Sequence, residues 1–161
     1  ADGRVLCDGE EISSVIRTEE VSALASQVSC FVPIRHALKF QQRQLVEQAK
    51  IGGAYRGAVL EGRDIGTVVL PQADCKFFVE ASPETRARRR FAELQPKNPG
   101  VRFEKILEAL KQRDEQDRNR SEAPLLKATD AILVDTSNLN IEQVLSALEQ
   151  HLRPFLLTES S

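Results

Sequence analysis

The stretch Val59-Leu60-Glu61-Gly62-Arg63-Asp64-Ile65-Gly66-Thr67-Val68-Val69-Leu70-Pro71 decides how this chain is read. Apolar residues run into Gly62, Arg63 and Asp64 stand side by side, and Gly66 leads into a β-branched run that stops at Pro71. The pattern predicts a short buried strand over residues 59–61, with Gly62, Arg63 and Asp64 at its carboxyl end. In open α/β sheets that end is where ligands bind. Arg63 offers a planar cationic fork and Asp64 an acceptor, a combination suited to one polar ligand. Taken alone, the same residues also describe a surface turn closed by a local ion pair.

Working outward, residues 75–81 (Cys-Lys-Phe-Phe-Val-Glu-Ala) and 131–135 predict two further buried strands. Ser82-Pro83-Glu84 is a strong helix start, with a side-chain cap, proline at the first helical position and an acid in the first turn. That helix is expected to end near Leu94, followed by a polar loop over residues 95–100. Phe103, Ile106, Leu107 and Leu110 then follow helical spacing. Asn140 caps a last helix carrying Ile141, Val144, Leu145, Leu148 and Leu152, expected to stop before Pro154. On the amino-terminal side, Asp8-Gly9 signals a hairpin between residues 4–7 and 11–16. Thr18 caps a helix with Val21, Leu24, Ala25 and Val28 on its apolar face. Pro33 opens a longer helix to about Lys50, with Ile34, Ala37, Leu38, Leu45 and Val46 as core candidates, and Gly52-Gly53 breaks the chain before the central stretch. Strand–helix alternation of this kind indicates an α/β fold with a parallel sheet and crossover helices.

Composition sets limits. The 161 residues suffice for one domain with a real core, and 41% hydrophobic with 29% charged residues is ordinary for a globular protein. The formal net charge of -2 implies no global polyanion binding, so no nucleic acid is expected as a partner. Yet residues 84–120 hold eleven of the 22 Lys and Arg against seven acids, a local basic region that suits phosphate groups or forms a solvated helix face. No apolar run reaches membrane-spanning length, and no secretory signal opens the chain. Cys7, Cys30 and Cys75 are odd in number and widely spaced, as free thiols of a reducing compartment are, and no metal ligands are assigned. A cytoplasmic location follows as an expectation.

The second informative stretch is Lys111-Gln112-Arg113-Asp114-Glu115-Gln116-Asp117-Arg118-Asn119-Arg120. If it continues the preceding helix, Arg113, Asp117 and Arg120 share a face while Arg118 points elsewhere. Guanidiniums and a carboxylate on one face can clamp phosphate and ribose hydroxyls. They can equally pair with one another along an exposed helix, for about 0.2–0.5 kcal/mol per pair. Arg35, near a helix amino terminus, is mildly unfavourable with the helix dipole unless an anion or acceptor meets it.

Together these residues resemble the bacterial cytidylate (CMP) kinases. The matching residues are Ile16-Arg17-Thr18-Glu19-Glu20-Val21, Ala25-Ser26-Gln27-Val28, Pro33 to Arg35, Glu61-Gly62-Arg63-Asp64-Ile65-Gly66-Thr67, and Arg113 to Arg120 followed by Ala123-Pro124-Leu125. They occur in family order over nearly the whole chain. The resemblance implies a three-layer parallel sheet of the P-loop nucleoside monophosphate kinase type, with residues 1–50 part of a monophosphate-binding insert, 51–157 the core, a lid at about 95–125 and a tail at 158–161. It implies phosphoryl transfer from ATP, with Mg²⁺, to CMP or dCMP by an otherwise monomeric enzyme. Carried over by position, Ser26, Arg35 and Arg120 face the cytosine, and Asp64 lies near the nucleoside. Asp117 accepts from the ribose hydroxyls, Arg63 and Arg113 surround the acceptor phosphate or sugar, and Arg118 faces the donor phosphates. Arg113, Arg118 and Arg120 are the residues expected to support the transfer itself.

One family feature is missing from the chain. The eight glycines, 3, 9, 52, 53, 57, 62, 66 and 100, include none followed by Lys-Ser or Lys-Thr, so no GxxxxGK[ST] loop occurs. The chain also contains no Met. The expectation is therefore a fragment or one chain of a nicked or fused kinase, inactive by itself. The alternative is a non-catalytic nucleotide-binding or interaction module derived from the kinase.

Overall fold

The computed structural model describes residues 4–51, 55, 57–120 and 123–157; within helices, the side chains of Arg17, Glu19, Ser26, Leu156 and Leu157 lie outside the described set. The expectations for Gly52-Gly53 and for the tail at 158–161 therefore fall outside the described residues. The chain divides into two compact units, Ala1–Ala58 and Val59–Ser161.

In the first unit, β1 (Leu6–Cys7) and β2 (Glu10–Glu11) pair antiparallel across the Asp8-Gly9 turn. Both turn residues have positive φ, 50° and 87°. A turn of that hand matches strand twist and explains Gly9. The hairpin is shorter than residues 4–16 suggested: a 3₁₀ turn occupies Val15–Arg17. Helix α1 (Glu19–Val28) begins at Thr18, whose Oγ1 accepts from the Val21 amide at 3.4 Å. Helix α2 spans Val32–Ile51. Of its proposed core residues only Val46 is buried, while Leu38 and Leu45, like Leu24 and Val28 of α1, are exposed. Periodicity correctly marks one apolar face on each helix, but what covers such a face is not a property of the helix.

In the second unit, β3 (Phe77–Glu80) and β4 (Ile132–Asp135) pair in parallel, Phe77 opposite Ile132 and Glu80 opposite Asp135. Helices α3 (Pro83–Leu94) and α4 (Phe103–Asn119) form the crossover between them, and α5 (Ile141–Leu157) follows β4. The caps anticipated from sequence are present. Ser82 Oγ accepts from the Thr85 amide at 3.1 Å. Asn140 Oδ1 accepts from the Gln143 amide, and Gln143 Oε1 accepts from the Asn140 amide, both at 2.9 Å. Reciprocal bonds of this kind satisfy otherwise orphaned helix-start donors. Among the described residues of this unit, Val69, Ala87, Ile106 and Val134 are the buried apolar ones. Phe91 meets Phe103 edge-on at 6.3 Å between α3 and α4, and Phe77 meets His151 at 6.2 Å between β3 and α5.

Two expectations are corrected. Residues 59–61 do not form a strand, and Val59 is 97% exposed. A strand exists only as a partner in a ladder, and among the described residues none pairs with this run. The β-branched run behind it coils instead into a π-helical turn, Ile65–Val69, with the Val69 amide bonded to Asp64 O at 3.2 Å and the Leu70 amide to Ile65 O at 2.7 Å. The last helix, expected to stop before Pro154, continues through it to Leu157. The observed architecture is thus α/β with a small parallel sheet.

Candidate functional site

The π turn governs where Arg63 stands. π turns are uncommon and concentrate at functional sites. At Gly62 an added Cβ would lie 2.8 Å from Ile65 Cγ1, so glycine lets the chain enter the turn closely packed. Asp64 sits at the start of the turn with φ -131° and ψ 17°, its carbonyl accepting from Val68 at 2.8 Å. Arg63 leaves this junction with its side chain 42% exposed, and its Nε lies 3.0 Å from Asp117 Oδ2. The two stretches singled out in the sequence, 54 residues apart from Arg63 to Asp117, therefore meet in space.

Asp117 is the centre of the cluster. Its side chain is 1% exposed, and Arg120 Nη2 lies 2.5 Å from its Oδ1. Neither carboxylate oxygen receives an aligned hydrogen bond despite these short distances. The two arginines thus supply charge while the carboxylate keeps acceptor capacity, since each oxygen can take two donors. Arg120 has left the helix (φ -59°, ψ 134°), and the chain turns back so that the Leu125 amide donates to the Asp117 carbonyl at 2.8 Å. Ala123 takes a left-handed φ of 49° in that return.

The helical face differs in part from the sequence expectation. Arg113 does not pair with Asp117. It is exposed, as is Arg118, and neither makes a side-chain hydrogen bond or ion pair among the described residues. Asp114, not Arg113, shares the inward side with Asp117 and takes a two-pronged contact from Arg86: Nη1 to Oδ1 at 3.0 Å and Nη2 to Oδ2 at 2.5 Å. The signal was present: Phe103, Ile106, Leu110, Asp114 and Asp117 follow one another at helical spacing, so the apolar stripe of α4 runs into both carboxylates. Arg86 itself was missed, because a pairing across 28 residues has no local signature. In the first unit, Arg35 Nη1 donates to the Ser29 carbonyl at 3.3 Å, supplying the acceptor its position called for. Ser26 lies on α1, its side chain outside the described residues.

Elsewhere, Lys76 is nearly buried and joins Asp130 Oδ2 and the Pro71 carbonyl, each at 2.6 Å. That hydrogen bond holds the Asp130 carboxyl below its ordinary range. Bonds from Ser137 do the same for Asp135. No helix is long and apolar enough to cross a membrane among the described residues.

An α/β chain with arginines converging on a buried carboxylate in the last turn of a crossover helix has the makings of a nucleotide-phosphate site. Comparison with known proteins gives the lineage. The family model for cytidylate kinase matches residues 1–153. The chain is 47% identical over 146 residues to the cytidylate kinase of Citrifermentans bemidjiense, covering 91% of this chain and 60% of that protein. It is 45% identical over 149 residues to that of Salmonella arizonae, covering 92% of this chain and 63% of that protein. The chain belongs to the cytidylate kinase family. It spans between 60% and 63% of the length of these relatives.

Proposed function

We propose that this chain carries the acceptor-nucleotide part of a kinase that moves the γ-phosphoryl group of ATP onto CMP or dCMP, giving CDP or dCDP. The observation that supports it is the meeting of Arg63 and Arg120 on the buried Asp117 carboxylate in a chain of this family. Asp117 accepts from the sugar hydroxyls with the capacity its arginines leave unused. Arg63 is the exposed member of the cluster; swinging its fork onto the acceptor phosphate exchanges one anion for another and uncovers Asp117 Oδ2. Asp64 lies near the nucleoside, and Arg113 joins the phosphate or sugar. Ser26 and Arg35 read cytosine with Arg120; for these two, the support is the motif match alone.

In the transfer, an oxygen of the CMP phosphate attacks the γ-phosphorus, the bond to the β,γ-bridging oxygen breaks and ADP departs. The nucleophile is already anionic, so alignment and positive charge are what the protein must supply. Arg113, Arg118 and Arg120 supply that charge, Arg118 toward the donor. The Asp117 cluster does not suit Mg²⁺: its one carboxylate is flanked by two cations, and no group of three or more His, Cys, Asp or Glu converges among the described residues. Mg²⁺ therefore belongs with the ATP phosphates. The same reading gives the larger fold as the three-layer P-loop type, with the insert at 1–50, a lid at about 95–125, a cytoplasmic location and a monomeric state. The donor-phosphate loop is supplied from outside these 161 residues.

The test is ADP release with CMP and Mg-ATP, for the chain alone and for the chain mixed with the residues encoded upstream. The expected result is no turnover by the chain alone and CMP-dependent turnover on mixing, with UMP a poorer acceptor. Robust turnover by the chain alone would overturn the assignment of the donor loop. If CMP neither binds nor turns over in the mixture, the kinase reading fails in favour of a non-catalytic module.

A further inference from the structure

Arg86 has no role in the proposed transfer, yet its guanidinium joins α4 to the end of β3. Its Nη1 and Nη2 reach the two oxygens of Asp114 at 3.0 and 2.5 Å, and its Nε donates to the Ala81 carbonyl at 3.1 Å. Ala81 follows β3 directly, and Asp114 lies on α4 three positions before Asp117. A planar fork engaged on both sides fixes direction as well as distance. Both partners are largely shielded, at 29% and 14% exposure. The other ion pair between α3 and α4, Lys111 with Glu84, is about half exposed on both sides and makes a single 3.2 Å contact. Exposed pairs of that kind contribute little.

We propose that Arg86 is a positioning residue for the acceptor nucleotide. By holding Asp114 against the end of β3 it sets the rotation of α4 about its own axis. That rotation is what delivers Asp117 to Arg63, with Arg120 carried along as the residue that ends the same helix. Three residues of helix separate Asp114 from Asp117 by roughly 60°, so a small roll of the helix moves the second carboxylate out of reach of the π turn. The proposal rests on Asp117 serving as the sugar acceptor, and the test separates the two claims.

Arg86→Lys keeps the charge but loses the fork. In the active protein that carries this chain, it is expected to raise KM for CMP on the order of tenfold, as misplacement of a substrate-holding group does, while KM for ATP stays within twofold or so. Lys111→Gln, which removes the exposed pair between the same helices, should change neither. The deciding measurement is the double variant. If Arg86 acts through Asp117, then Arg86→Lys in an Asp117→Asn background adds no further loss for CMP, because residues acting through one another are not additive. Independent, multiplying losses would overturn the proposal, as would an Arg86→Lys protein that loses thermal stability with KM for CMP unchanged. Should Arg86→Lys fail to fold, Asp114→Asn, nearly isosteric, is read by the same cycle. An Asp117→Asn protein with normal CMP kinetics would instead sink the functional reading itself.

Discussion

Asp114 and Asp117 stand one turn apart on the same helix, both facing inward and both met by arginine, yet they are held in different ways. Asp114 takes two aligned hydrogen bonds from one fork and is spent on joining α4 to α3. Asp117 lies between two guanidiniums on opposite oxygens, more deeply buried, and receives no aligned hydrogen bond from either. A saturated carboxylate is a fastener. One with acceptor capacity left over suits the receptor role proposed for Asp117. The two also differ in partner number and depth: one guanidinium holds both oxygens of Asp114, whereas Asp117 meets two guanidiniums and is 1% exposed.

The sharpest way to break the comparison is to remove both charges separately. Asp117→Asn keeps the shape and is expected to lose about a hundredfold in kcat/KM for CMP, the worth of a charged hydrogen bond at the upper end of its range. Steady-state kinetics with CMP varied at saturating ATP read this directly. Asp114→Ala should instead cost about 2 kcal/mol of stability by stranding the Arg86 fork, measured as a lower denaturant midpoint, with the smaller, KM-confined effect on CMP argued above. If the two variants behave alike, the distinction between fastener and receptor is wrong.

A third prediction concerns Asp130, a carboxylate held by Lys76. Its folded pKa is depressed, first of all by the Lys76 hydrogen bond. A depressed carboxyl stabilises the fold above the ordinary aspartate pKa of about 3.9, and that contribution is lost as the pH falls through the lower folded value. Asp130→Asn should therefore have a lower melting temperature at pH 7 and a flatter dependence of melting temperature on pH below about 4. Parallel curves for the two proteins would deny the pair any part in acid stability. The smallest effect is expected at Ala123, whose left-handed φ of 49° carries strain that glycine would relieve. Ala123→Gly should gain less than about 1 kcal/mol, since the freer unfolded chain offsets part of the relief. A loss of stability on chemical denaturation would show that the methyl group matters more than the backbone.

Much of this was legible in the sequence because the responsible forces are local. Thr18, Ser82 and Asn140 announce their helices through caps a few residues away. Residues 75–81 and 131–135 read as strands because each is a short apolar run, and the strands formed are Phe77–Glu80 and Ile132–Asp135. The motif stretches also named Arg63, Asp117 and Arg120 before their meeting was visible. What could not be read is what depends on a partner elsewhere in the chain. Residues 59–61 have the composition of a strand but no ladder among the described residues, and Leu38 and Leu45 have the spacing of a core face but stay exposed. Arg86 lies 28 residues from Asp114, and only folding shows which of the arginines of α3 turns toward α4. The burial of Asp117 was half legible, since an apolar stripe that continues into a carboxylate implies a buried charge needing partners.

The backbone of Asp117 adds something its side chain cannot. Its carbonyl receives the amide of Leu125 at 2.8 Å, across the turn that contains Ala123. One N–H bond vector is therefore anchored to the residue proposed to meet the sugar. In a sample labelled with ¹⁵N-leucine, that amide is a resident reporter: its chemical shift and solvent-exchange lifetime record how Asp117 is held. Titrating nucleotide against that resonance would follow the site in the unaltered sequence, with no dye attached and no residue replaced.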